Sequence, residues 1–241
     1  MKNWLQQALL CGLLLCASMV GAQNVTVSAR VALQNGKSDY TPKAGNVFLW
    51  LTPIDSSDPP QALPSGSNRP RLTQKNKSFI PHVLVVPVGS EVEFPNRDPF
   101  FHNVFSLFEG KRFDLGLYEA GTTRNVRFDK TGISYIFCNI HPEMSAVVIA
   151  VGTPYYGTSD KRGQIEIPNV PPGRYTLRMW YEAALPDKLD ALTREVKISE
   201  STANLGLLRL DGTELALTHK NKYGRDYEPP TPLTSPAYQH Q

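Results

Sequence analysis

The stretch Ile133-Ser134-Tyr135-Ile136-Phe137-Cys138-Asn139-Ile140-His141-Pro142-Glu143-Met144-Ser145-Ala146-Val147-Val148-Ile149-Ala150-Val151 decides how this chain is read. Its two ends are rich in β-branched and aromatic residues and show no helical period. They predict one strand running from Ile133 up to Cys138 and another beginning at Met144 and ending at Val151. Between them lies a Cys-x2-His-x2-Met loop. Strands that fix both ends of such a loop can aim a thiol, an imidazole and a thioether at one point.

Upstream, Phe100-Phe101-His102-Asn103-Val104-Phe105-Ser106 reads as short and extended, so it can deliver a second imidazole from a neighbouring strand. A thiolate, two imidazoles and a distant thioether form the trigonal set with a long axial bond that suits a single electron-transfer copper. The candidate ligands are His102, Cys138, His141 and, more weakly, Met144. Phe100, Phe101, Phe105 and Phe137 are expected to supply a dry apolar shell. Each ligand has a plainer reading alone: a lone Cys is usually a small buried hydrophobe, a lone Met fills core, and a lone His sits in a loop. Zinc could also take these ligands, although the thioether and the order of metal affinities favour copper.

The amino terminus adjusts the cysteine count. Lys2 precedes an uncharged run centred on Ala8 to Ala22 that ends in Val20-Gly21-Ala22, so residues 1–22 read as a secretory signal peptide. The run is shorter than the roughly 20 apolar residues that span a bilayer. Cleavage there removes Cys11 and Cys16 and leaves Cys138 as the one remaining cysteine. A single Cys cannot close an internal disulfide, and an unprotected thiol is a liability in an oxidising compartment. A bound metal resolves both points. The formal net charge is +3, and its basic groups (Arg69, Arg71, Lys75 and Lys77; Lys220, Lys222 and Arg225) lie in polar, loop-like sequence. They read as solvated loops, with no nucleic-acid module.

The rest of the chain is also β in pattern. Val25 to Leu33, Asn46 to Leu51, Phe79 to Val88, Glu91 to Phe94 and Arg124 to Phe128 read as strands. So do Gly163 to Ile167, Tyr175 to Tyr181, Glu195 to Ile198 and Leu205 to Leu210, with a short helix within Glu182 to Thr193. The expected fold is all-β, with short strands arranged as antiparallel sandwiches. Residues 54–78 are Pro/Ser/Asp/Asn-rich and read as a linker; residues 218–241 read as a disordered tail.

Residues 79–151 resemble the cupredoxin (type 1 blue-copper) family. His102-Asn103-Val104 looks like the His-Asn-Val segment of amicyanin and pseudoazurin. Cys138 to Met144 resembles the short amicyanin ligand loop, and Phe94-Pro95-Asn96 before the first His also fits. The resemblance implies a Greek-key sandwich with copper at one end and a bacterial periplasmic or secreted setting. It also implies that Asn103 ties the two ligand segments together by hydrogen bonds. An electron port is implied at His141, with Pro142, Phe100 and Phe101, where a dehydrogenase or c-type cytochrome would dock. Glu143 departs from the apolar patch expected there. Gly163 to Leu177, with its Asn169-Val170-Pro171-Pro172-Gly173 turn, resembles the carboxypeptidase-regulatory (prealbumin-like) sandwich. Residues 24–53 and 152–212 would then be two parts of that second sandwich, with the cupredoxin inserted between them.

Three function classes compete. One-electron transfer leads. A copper enzyme would need further His ligands, and only His82, His219 and His240 remain, with no His-x-His pair. A periplasmic copper carrier or a structural binding module is the other alternative; it should release copper readily to chelators.

Overall fold

The computed structural model describes residues 23–35, 38–40, 46–55, 69–107, 110–211 and 219–227. The expected signal peptide, most of the 54–78 linker and the far end of the expected tail lie outside them. Among the described residues no helix is long and apolar enough to cross a membrane.

Strands come in three groups along the chain. The first is β1 (Val25–Asn35), β2 (Ser38–Tyr40) and β3 (Phe48–Pro53). The central group opens with β4 (Thr73–Gln74), β5 (Phe79–Ile80), β6 (Val83–Pro87) and β7 (Glu91–Pro95). It continues with β8 (His102–Ser106), β9 (Phe113–Tyr118), β10 (Thr123–Arg127), β11 (Gly132–Cys138) and β12 (Ser145–Val151). The last group is β13 (Tyr156–Thr158), β14 (Gln164–Val170), β15 (Gly173–Trp180), helix α1 (Pro186–Ala191), β16 (Arg194–Ile198) and β17 (Asn204–Asp211).

The central group makes one sandwich. Its larger layer is ordered β6-β12-β11-β8-β9. Facing it are the pairs β10-β7 and β4-β5, joined by bridges from Arg71 to Glu93 and from Gln74 to Asn96. The first and last groups interleave in a second sandwich: β1 lies between β14 and β17, and β3 lies between β13 and β15. Strands on either side of the central group thus pair with each other.

β12 joins the two sandwiches, and its sequence explains why. In a strand successive side chains face opposite ways. Ala146, Val148 and Ala150 enter the core of the central sandwich. Val147, Ile149 and Val151 enter the core of the flanking one, beside Leu49, Ile167 and Leu177. A strand buried on both faces needs a continuous apolar run, which Ala146 to Val151 supplies. Each large side chain buried this way contributes about 1.5–3 kcal/mol.

Several expectations change. The end of the expected 54–78 linker, with Leu72 buried and Thr73–Gln74 in β4, belongs to the central sandwich. The single strand over Phe79 to Val88 divides into β5 and β6 at Pro81, which has no N–H for a ladder. The strand β9 was not anticipated, because Gly116, at φ +67°, interrupts the pattern of Phe113 to Tyr118.

Candidate metal centre

The site is built at one end of the central sandwich, where β8 begins and β11 ends. Cys138 pairs with Val104 across the β11–β8 ladder, so the thiol enters the inter-layer core and is fully buried. The ligand loop closes on itself. Cys138 N–H donates to the Met144 carbonyl at 3.2 Å, and Met144 N–H donates to the His141 carbonyl at 3.0 Å. Met144 is fully buried in the same core cluster as Cys138.

His102, His141 and Cys138 converge. Cys138 Sγ lies 3.6 Å from His102 Nδ1 and 3.5 Å from His141 Nδ1, and the two ring nitrogens are 3.2 Å apart. Donors bound to one ion at about 2.0–2.3 Å stand roughly 3.3–3.8 Å from each other, so these three atoms are spaced to share a metal. Among the described residues this is the one grouping of three or more His, Cys, Asp or Glu side chains with that spacing.

The chemistry of the donors agrees. Burial pushes the Cys138 thiol above its ordinary pKa; N–H groups of Ile140, Asn103 and His141 pull the other way, and the Glu143 charge adds to the rise. Burial, together with neighbouring His102, holds His141 below the ordinary imidazole range. The two Nδ1 atoms and the thiol thus face a common point, and a cation placed there favours the thiolate.

Asp98 was not singled out from the sequence, yet it fixes His102. Its Oδ2 accepts from His102 Nε2 at 2.9 Å, with both side chains buried. That bond places the imidazole proton on Nε2 and leaves the Nδ1 lone pair facing Cys138. Asp98 is held in turn by N–H groups of Asn76, at 2.6 Å, and Lys77, at 3.0 Å. Both donors sit on left-handed backbone. Burial alone would raise the Asp98 pKa, but the Lys77, His102 and Asn76 hydrogen bonds outweigh it and hold the carboxyl below its usual range. In the sequence, Asn96-Arg97-Asp98-Pro99 carries only a turn signal.

Asn103 links the two ligand segments through its main chain: the Asn139 N–H donates to its carbonyl at 2.8 Å. Its side chain goes elsewhere, to Asp114 Oδ1 at 2.6 Å. The aromatic shell also divides. The Phe100 ring lies 5.4 Å from each ligand imidazole. Phe105 and Phe137, one residue along from Val104 and Cys138, take the opposite face of the sheet and pair with each other at 5.9 Å. Strand alternation, which their motif positions conceal, puts them there. His141 is half-buried, Pro142 and Phe101 are exposed, and Ile140 is exposed between His141 and the strand end.

Part of the segment expected to be disordered, residues 219–227, lies against this loop. His219 stacks on Phe137 with ring centroids 4.0 Å apart, and Tyr227 donates to the Cys138 carbonyl at 2.8 Å. Composition suggested solvated chain; His219, Lys222 and Tyr227 find partners only in the folded protein.

No family model and no curated protein matches this chain. Among solved structures it is similar to a copper-containing nitrite reductase (NirK) from Thermus scotoductus, at 26% identity and a TM-score of 0.33. That similarity covers 35% of this chain and 22% of the reductase, so the match spans under a quarter of the reductase. A purple cupredoxin from Nitrosopumilus maritimus matches at 22% identity and a TM-score of 0.31, over 34% of this chain and 99% of that one. A reduced amicyanin mutant matches at 22% identity and a TM-score of 0.33, over 42% and 99%.

Proposed function

We propose that the protein is an exported electron carrier that holds one copper ion through His102 Nδ1, Cys138 Sγ and His141 Nδ1, with Met144 as a weaker fourth ligand. The observation that carries this reading is the convergence of those three donor atoms within 3.6 Å of one another. Copper bound there would supply one-electron chemistry, Cu(I) suited by the thiolate and Cu(II) by the imidazoles.

The chain's own residues prepare the site. Asp98 fixes the His102 ring, the Asn139–Asn103 bond fixes the loop, and the buried Cys138–Met144 contact keeps water out. Little can shift, so little reorganisation would oppose a change of charge. Half-buried His141 offers the short way out, and exposed Phe101 and Ile140 give a redox protein an apolar surface beside it. A dehydrogenase or c-type cytochrome in a bacterial periplasm fits that role. The flanking strands serve as a prealbumin-like support, and the protein is not itself an enzyme.

A redox titration beside chelator challenge tests this. An electron carrier should cycle reversibly by one electron per copper while resisting the chelator. Ready loss of copper in both oxidation states would support the carrier alternative and reject this one.

A further inference from the structure

Residues 219–227 cross the outside of the ligand loop and hold it at three points. Tyr227 Oη lies 2.8 Å from the Cys138 carbonyl and 3.2 Å from His219 Nδ1, so its single proton serves mainly the carbonyl. His219 Nε2 donates to the Pro142 carbonyl at 2.8 Å. The Lys222 N–H donates to Asn139 Oδ1 at 3.0 Å. The Lys222 ammonium reaches Asp114 Oδ2 at 2.8 Å, while Asp114 Oδ1 accepts from Asn103. One short segment is therefore tied to both halves of the Cys–His loop and, through Asp114, to the strand that carries His102.

We infer that Tyr227, His219 and Lys222 are positioning residues that keep the ligand loop closed, with Cys138 shielded and aimed, whether or not a metal is bound. A buried thiol reacts only when its surroundings open locally. Within the loop, main-chain bonds run from Cys138 to Met144 and from Met144 to His141, and the Ile140 and His141 N–H groups turn in towards the Cys138 sulfur. The outside of the loop has no strand of its own to rest on, because β11 ends at Cys138 and β12 begins at Ser145. The strap supplies that missing layer. Loss of one of its hydrogen bonds should raise the open fraction about three- to tenfold. The role matters to the cell only if the loop holds copper, so the inference rests on that reading, but its test uses the metal-free thiol.

The experiment is the rate at which Cys138 reacts with an aromatic disulfide reagent in metal-free protein. Four forms are compared: wild type, Tyr227→Phe, a chain ending at Thr218, and Arg225→Gln, a change at an exposed strap side chain. The expected result is slow reaction in the wild type and Arg225→Gln, about three- to tenfold faster reaction in Tyr227→Phe, and a larger increase in the shortened chain. Thermal midpoints should stay together, since both sandwich cores are untouched. Wild-type rates in Tyr227→Phe and in the shortened chain would overturn the inference. So would rates that rise only in step with a falling midpoint, which would mark a general loss of stability. A wild type that binds no copper would remove the copper reading and leave the thiol result standing.

Discussion

Replacing Asp98 with Asn should loosen the metal site while leaving the fold in place. Asp98 Oδ2 accepts from the buried His102 Nε2–H and from the part-buried Lys77 N–H, and Oδ1 accepts from the part-buried Asn76 N–H. An amide has one oxygen. In either orientation its NH2 group confronts at least one donor that it cannot satisfy, at a cost of up to about 1–3 kcal/mol of stability, the lower end applying to the part-buried Asn76 N–H. The effect on metal differs in kind. Without a carboxylate on Nε2, the imidazole is free to move its proton to Nδ1 and turn away from Cys138. Loss of such an orienting partner weakens binding by about 10- to 100-fold, equivalent to about 1.4–2.8 kcal/mol. Competition with a Cu(I) chelator reads the affinity, and denaturant unfolding of metal-free protein reads the stability. Wild-type affinity in Asp98→Asn, with the stability loss present, would refute the claim that Asp98 orients a ligand.

Three other predictions are open to direct test. Met144→Leu preserves volume in the buried cluster, so it should cost under about 1.5 kcal/mol in unfolding experiments; it should also shift the reduction potential of copper-loaded protein, because it removes the thioether proposed as the weaker fourth ligand. Ile149→Ala removes a side chain that β12 sends into the flanking core; a loss of about 2–5 kcal/mol is expected, and a loss under 1 kcal/mol would show that the two sandwiches do not share this core. His82 Nε2 lies 2.7 Å from the Glu182 carboxylate, spanning the two sandwiches. The Glu182 hydrogen bond raises the His82 pKa above its ordinary value, against the opposing effect of burial. A raised folded pKa gives stability that is present below the unfolded value and lost as pH rises through the folded one. The small advantage of wild type over Glu182→Gln in thermal midpoint should therefore be present at about pH 6 and shrink towards about pH 8. An advantage that grows with pH would contradict the pairing.

The sequence was informative where chemistry and local pattern coincide. His102, Cys138, His141 and Met144 stand in two short motifs at strand ends, and the structure places the first three within bonding distance of one point. The strands that alternate, such as β14, were legible for the same reason. What escaped was set by partners far along the chain. Asp98 looks like one polar residue in a turn, and only the fold brings Asn76, Lys77 and His102 around it. Tyr227 and His219 sit in polar sequence without period, yet they pack on Phe137 and Cys138 more than 75 residues upstream. Phe105 and Phe137 were assigned by proximity to the ligands, whereas one step along a strand turns a side chain to the other face.

The most direct test of the central claim is the visible absorption spectrum of the protein without residues 1–22 after one equivalent of Cu(II), recorded beside Cys138→Ser. The expected result is an intense thiolate-to-copper band in the wild type, bleached reversibly by a reductant and absent from the variant. A wild type without that band, or a band that survives in Cys138→Ser, would contradict it.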